Sequence, residues 1–321
     1  MIIILAYQSA MKFWLQVTTA VDMATTASTI KSIQAATGNS KDISSLALQD
    51  KGFGRQPYHV LVEPGQRRQA TKRVVCHQAS SGFPAGSFRR VDKDILVASP
   101  ELCFLQMATI LPLAKLVEWG CFLCGSYAIL PDEGLVHGRE LLTSKQKLGH
   151  YLRKCQGQRG YSEAVKALAR ICEGSASPQE TKLALLLSLP KKQGGYGFPQ
   201  PAMNHKVVYT AQEQRIYEKH HVVLDLYWPQ WKLGIEYDGR EYHGDSDAIT
   251  HDREKSSEMA TRQIEVIRVD RNQTRTPKDI YVLAKKIGRI TKRYVLRPTE
   301  SQWEKRKQLF FQLHERAYRS K

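Results

Sequence analysis

The segment HHVVLDLYWPQWKLGIEYDGREYH, residues 220–243, restricts the fold more than any other part of the chain. Two runs rich in β-branched, aromatic and aliphatic residues flank a Trp-Pro-Gln-Trp turn, which predicts strands at 221–227 and 232–238. Strand side chains alternate between faces, so Leu233, Ile235 and Tyr237 share one face and Glu236 and Asp238 the other. Asp225 lies near the end of the first run. Three carboxylates are therefore expected on one side of a hairpin.

Acids inside apolar strands are costly to desolvate and to hold near one another unless a cation compensates them. Magnesium does so through one or two carboxylates plus waters and substrate phosphates. The competing reading pairs the same acids with Arg240 or Lys232 at the sheet rim. His243 follows by a short polar step and adds an imidazole able to donate or accept a proton near neutrality. A solvated loop histidine is the alternative there.

The surrounding sequence predicts a mixed α/β arrangement around one buried sheet. Its elements run helix 177–189, a Gly/Pro loop, a strand near 207–209, the two strands above, a helix of about 248–262, a strand 264–269 and a helix 277–292. The GSASPQE segment marks the start of this domain, because it joins a Gly/Ser linker to a Ser-Pro-x-Glu helix start.

Ahead of it, residues 1–130 are expected to form a smaller α+β domain. A helix around Ser9 to Thr19 leads into a Ser/Thr/Ala-rich stretch with no assignable element. Four short strands follow, in YHVLVEP, KRVVCHQ, FRRV and DILVAS, each broken by Gly, Pro or Ser. Ser99-Pro100-Glu101 then opens a helix, and a second apolar helix begins at Leu113. Residues 131–174 are read as a helical linker with helices over Lys145 to Lys154 and Ser162 to Glu173, residues 175–295 as the second domain, and 296–321 as a basic C-terminal helix.

Charge indicates the partner. The chain has 48 Lys and Arg against 31 Asp and Glu, a net charge of +17, on a composition that is 42% hydrophobic and hence able to build a core. A disordered basic tail is excluded, and a polyanion such as nucleic acid is the expected partner, against solubility alone as the purpose of the charge. From Arg289 onward there are ten Lys and Arg against three Glu, with Trp303, Phe310 and Phe311 interleaved, which suits a helix packed on one side and basic on the other.

Six cysteines are too sparse for a disulfide framework, and Cys121 and Cys124 sit in an apolar stretch where core packing outweighs metal binding. The opening MIIILAYQSAMKFWLQV is too short and too interrupted for a membrane anchor and lacks a signal-peptide pattern, so a cytoplasmic protein is expected.

Taken together, LDLYWPQWKLGIEYDGREYH, Asp252-Arg253 and QIEVIRVDRNQ resemble the core of the PD-(D/E)XK nucleases, nearest to the branch allied with very-short-patch-repair DNA endonucleases. The resemblance covers about residues 175–292. It implies a restriction-endonuclease-like αβββαβ core and a metal-dependent DNA endonuclease using Mg2+ or Mn2+. By that likeness Asp225 and Glu236 are the metal ligands, Glu180 is the acid of the first helix, and Asp238 stands where the wider superfamily has its Lys. His243 falls one place later than the nearest pattern.

The Cys76-His77 turn region and DILVASPELCFLQMA resemble type IV, abortive-infection antitoxins, with His77, Arg89 and Arg90 as candidate DNA contacts. The expected partner is DNA, with a homodimer left open and no membrane. The second functional reading is a catalytically weak or inactive, antitoxin-like DNA-binding regulator.

Overall fold

The computed structural model describes residues 2–19, 36–39, 41, 43, 46–63, 65, 71–79, 82–217, 220–238 and 259–315. It is a mixed α/β protein whose chain divides into two compact units, with the boundary between Ile171 and Cys172. No helix among the described residues is long and apolar enough to cross a membrane.

The first unit is built on a five-stranded sheet in the order β3-β2-β1-β5-β4, formed by β1 (Ile3–Leu5), β2 (Tyr58–Val62), β3 (Val74–Gln78), β4 (Phe88–Asp92) and β5 (Ile95–Ala98). The central strand is the opening apolar run. Ile3, Ile4 and Leu5 are completely buried, because β1 pairs antiparallel with β2 on one side and parallel with β5 on the other. A strand enclosed on both edges and both faces reads as an unbroken apolar run, which is why no alternation announces it.

Helix α1 (Tyr7–Gln16) follows at once and buries Met11, Phe13, Trp14 and Leu15, with Trp14 Nε1 donating to Ala98 O at 2.8 Å. Helix α2 (Pro100–Met107) starts as its sequence indicates: Ser99 Oγ accepts from Leu102 N, and Pro100 occupies the first turn, where its missing N–H costs nothing. Every residue of α2 is buried. Helix α3 (Leu113–Leu123) is almost as enclosed, and Cys121 and Cys124 point into this core with no exposed surface.

A hairpin of β6 (Tyr127–Leu130) and β7 (Gly134–His137) precedes α4 (Lys145–Arg153) and α5 (Tyr161–Leu168). Of residues 131–174, expected to be a helical linker, 131–171 belong to the first unit and 172–174 to the second, and α4 and α5 pack on α2 and α3. Leu148, Tyr151, Leu152, Ala164 and Ala167 supply the buried stripes. The first unit is consequently the longer of the two, not the smaller.

The second unit carries a four-stranded sheet in the order β11-β10-β9-β8. Its elements are α6 (Pro178–Ser188), β8 (Ala202–Val208), α7 (Ala211–Tyr217), β9 (His221–Trp228), β10 (Leu233–Asp238), β11 (Glu265–Asp270), α8 (Pro277–Ile290) and α9 (Glu300–His314). β8 and β10 both run antiparallel to β9, while β10 and β11 are parallel.

Helix α7 has no counterpart in the sequence reading, and the expected helix of about 248–262 lies mostly outside the described residues. The short α7 is held by Glu213, which takes Arg262 Nε at 2.9 Å and Thr210 N at 2.7 Å. Those bonds hold the Glu213 carboxyl down at about 2, the Arg262 side chain contributing most.

Core packing of the second unit centres on Leu224, with Val207, Tyr209, Val222, Tyr227, Met259 and Ile264 in the same cluster. Leu224 also touches the space above Gly234, where a Cβ would stand 2.9 Å from its Cδ1. Leu224→Ala is expected to cost about 2–5 kcal/mol, the usual range for a fully enclosed leucine. Chemical denaturation of the two proteins measures it, and a loss below about 1 kcal/mol would contradict this packing.

In the first unit, His59 Nδ1 lies 2.9 Å from His77 Nε2, and the Tyr7 ring stacks on His77 at 3.9 Å. Burial, helped by the positive charge of Lys12, pushes the His59 imidazole down to about 4. An unfolded histidine titrates near 6.5, so between that pH and about 4 the unfolded chain binds a proton that the folded chain refuses. Stability of the first unit is therefore expected to fall as pH drops through this window and to be fully present above it. An NMR titration of His59 with an ordinary midpoint would refute the assignment.

Candidate active site

The site is built where β9 and β10 part. Their antiparallel register runs Leu233↔Trp228, Gly234↔Tyr227 and Ile235↔Leu226 and ends there, while β10 continues beside β11 as far as Asp238↔Asp270. Asp225 and Glu236 are the residues one step beyond the last β9–β10 pair. They occupy facing positions on adjacent strands, which in a sheet lie about 4.8 Å apart.

Beyond that pair, the Tyr237 amide takes the Asp225 side chain: Tyr237 N donates to Asp225 Oδ2 at 2.7 Å. A carboxylate thus binds β9 to β10 at the point where their registered pairing ends. The bond also restricts the Asp225 rotamer, with Leu224 and Leu226 buried on either side of it in sequence.

Extending the row across the sheet adds one residue per strand. Asn204 on β8 falls opposite Asp225, between the pairs Met203↔Leu226 and His205↔Leu224. Arg268 on β11 stands beside Glu236 in the parallel register. Asn204 adopts φ +46, a left-handed conformation that Asn tolerates better than most residues. Its Nδ2 donates to Glu180 Oε2 at 2.7 Å and to Gly174 O at 3.0 Å. Sequence reasoning missed Asn204, because nothing local in PAMNHKVV distinguishes it and its role comes entirely from register.

Glu180 is buried at the start of α6. Ser177 Oγ accepts from Glu180 N at 3.2 Å, and Glu180 Oε2 accepts from Ala176 N at 2.9 Å as well as from Asn204. Its carboxylate therefore joins the helix start to β8, one strand away from Asp225.

Asp238 lies at the end of β10, half-buried, beside Asp270 in register. Asp270 is engaged locally, its Oδ1 accepting from Gln273 N at 2.9 Å. His243, Arg240 and Asp252-Arg253 fall outside the described residues. Lys232, offered as an ion-pair partner for the acids, instead reaches Gln263 Oε1 at 3.3 Å.

The structure thus places Asp225 and Glu236 at neighbouring positions, with Asp238 further along β10 and Glu180 bonded across β8. Among the described residues no group of three His, Cys, Asp or Glu side chains is close enough to hold a metal ion. The donor set that the register does bring together is a pair of carboxylates. Hard oxygen donors of that number suit Mg2+, which keeps several waters and shares its remaining positions with substrate phosphates.

Comparison with protein-family models, with curated proteins and with solved structures finds no match to this chain.

The Tyr237–Asp225 bond has a direct readout. In Asp225→Ala the Tyr237 amide, which is partly buried, loses its acceptor, and a hydrogen bond of this kind is worth about 0.5–1.5 kcal/mol. Hydrogen exchange at Tyr237 is expected to accelerate by up to about tenfold relative to Ile235, and equal protection of the two amides in wild type and variant would contradict the geometry.

Proposed function

We propose that the second unit is a metal-dependent DNA endonuclease centred on Asp225 and Glu236. The observation that carries this reading is the placement of these two half-buried acids at facing positions where β9 and β10 diverge, between the buried residues Leu224, Leu226 and Ile235 in sequence. The second unit has the order α6, β8, α7, β9, β10, β11, α8 around one sheet, which differs from an αβββαβ core by the inserted α7, while most of the helix expected between β10 and β11 falls outside the described residues.

In this reading Asp225 and Glu236 hold Mg2+ or Mn2+, which when bound supplies Lewis-acid polarisation of the scissile phosphodiester and a more acidic water. Tyr237 N fixes the Asp225 carboxylate, so the pair is oriented before substrate arrives. Glu180 and Asn204 are positioning residues that brace β8 against the start of α6. Asp238 takes the place of the usual Lys and, with His243, is assigned the handling of protons at the attacking water. The chain's positive charge draws the phosphodiester backbone towards an acidic centre it would otherwise avoid.

A second reading, a non-catalytic and antitoxin-like DNA-binding protein, is favoured by Arg268, whose position beside Glu236 offers a cation without any metal. Incubating plasmid, single-stranded and mismatched DNA with Mg2+ or Mn2+ separates the two. Cleavage by the wild-type chain is expected, with at least about a hundredfold loss in Asp225→Ala and in Glu236→Ala, since even residues that merely support metal ligands are worth 10–100-fold. Cutting that persists in both variants would overturn the site. DNA binding with steep salt dependence and no cutting by any of the three proteins would establish the second reading.

A further inference from the structure

The first unit has a cleft of about 370 Å³, apart from the Asp225–Glu236 site, whose lining includes Arg89, a candidate DNA contact from the sequence. One wall is the loop Pro84–Gly86 with Arg89 of β4, and the other is α4 with Lys154, the residue that caps its C-terminus. Four permanent cations line it, Arg89, Lys147, Arg153 and Lys154, together with the His150 imidazole, against one acid, Glu101.

That acid is withdrawn from the opening. Glu101 is 8% exposed, and its Oε1 accepts from Thr143 Oγ1 at 2.5 Å. None of the four cations forms an ion pair with a described acidic residue.

The arrangement is built rather than a chance surface. Leu148, Tyr151 and Leu152 bury the inner face of α4, which leaves Lys147, His150, Arg153 and Lys154 on the outer face at one-turn spacing. The two walls are fastened underneath, where the buried Ser87 Oγ and Tyr151 OH lie 2.7 Å apart and Ser87 Oγ donates to Pro84 O at 2.6 Å. Arg89 is held in place by donating Nη1 to Gly86 O at 2.7 Å. Like charges held this close repel one another, and a bound anion relieves that repulsion.

From this geometry we infer that the cleft is a second nucleic-acid contact, gripping the phosphate backbone of duplex DNA independently of the Asp225–Glu236 site. A linear polyanion fits better than a compact one. Lys147 to Lys154 spans about 10 Å at 1.5 Å per residue, the axial length of about three nucleotides of one strand at 3.4 Å each. No base-reading group is needed, so the contact is indifferent to sequence.

The test is duplex binding by the full chain in EDTA, followed by fluorescence anisotropy over a range of salt concentrations. Each neutralised phosphate contributes about 0.9 to the slope of log K against log salt. The triple variant Arg89→Gln, Lys147→Gln, Lys154→Gln is therefore expected to lower that slope by about 2 to 3. The charge-retaining variant Arg89→Lys, Lys147→Arg, Lys154→Arg is expected to keep it, which separates lost contacts from lost folding.

Lys72→Gln, Arg73→Gln, Lys93→Gln removes the same charge from exposed positions outside the cleft and is expected to leave the slope nearly unchanged. An equal drop in this control, or no duplex binding by the wild-type chain, would overturn the inference. So would displacement of the duplex by inorganic phosphate or a mononucleotide at the same total phosphate concentration, which would make the ligand a small phosphate. EDTA withholds the metal from the Asp225–Glu236 site, and cutting is scored only in the separate Mg2+ or Mn2+ assay, so the two proposals fail separately.

Discussion

The Asp225 carboxylate accepting the Tyr237 amide is the interaction on which the arrangement of the second unit turns. A backbone N–H inside a sheet must find an acceptor, and a strand that leaves its neighbour normally exposes a row of unsatisfied groups. Here β10 leaves β9 after Ile235 yet stays registered with β11 for three more residues. One acidic side chain bridges the opening. The cost of placing a charge there is offset because it satisfies a main-chain donor, and the same bond fixes where Glu236 stands relative to Asp225. An alanine-lined sheet of identical topology would have no comparable means of keeping the strands parted at a defined place.

Much of this was legible in the sequence because the signals are local. The β9 and β10 runs and the Ser99 and Ser177 helix starts all depend on residues within a few positions of one another. The sequence grouped Asp225 with Glu236 and Asp238, and the register set by the turn at 229–232 singles out Asp225 and Glu236 as the facing pair. What could not be read depends on partners far along the chain. Asn204 matters only because β8 pairs with β9 in one register out of several, and β1 is a strand only because β2 and β5 enclose it.

Helices α4 and α5 illustrate a different failure of local reading. Their polar, basic composition suggested a connector, yet each buries a narrow stripe and turns charge outward. A helix capping an apolar pair such as α2 and α3 needs only two or three large residues per face, and composition averages that stripe away. The same outward charge forms the wall of the basic cleft. The feature that concealed the packing role of α4 is thus the one that gives the helix a surface of its own.

Net charge of +17 is a weaker statement than its local distribution. Screening at physiological ionic strength confines the effect of an exposed charge to about 8 Å, so a surplus spread evenly would attract DNA without orienting it. The chain instead holds cations together on α4 and β4 and holds two acids together where β9 meets β10. The cation grouping is unfavourable by itself, since it places like charges side by side without a described acidic partner, whereas the acids have the Tyr237 amide and Arg268 beside them. A chain that needed only solubility would spread its cations evenly, and the grouping on α4 and β4 gives the positive charge a defined place from which to act.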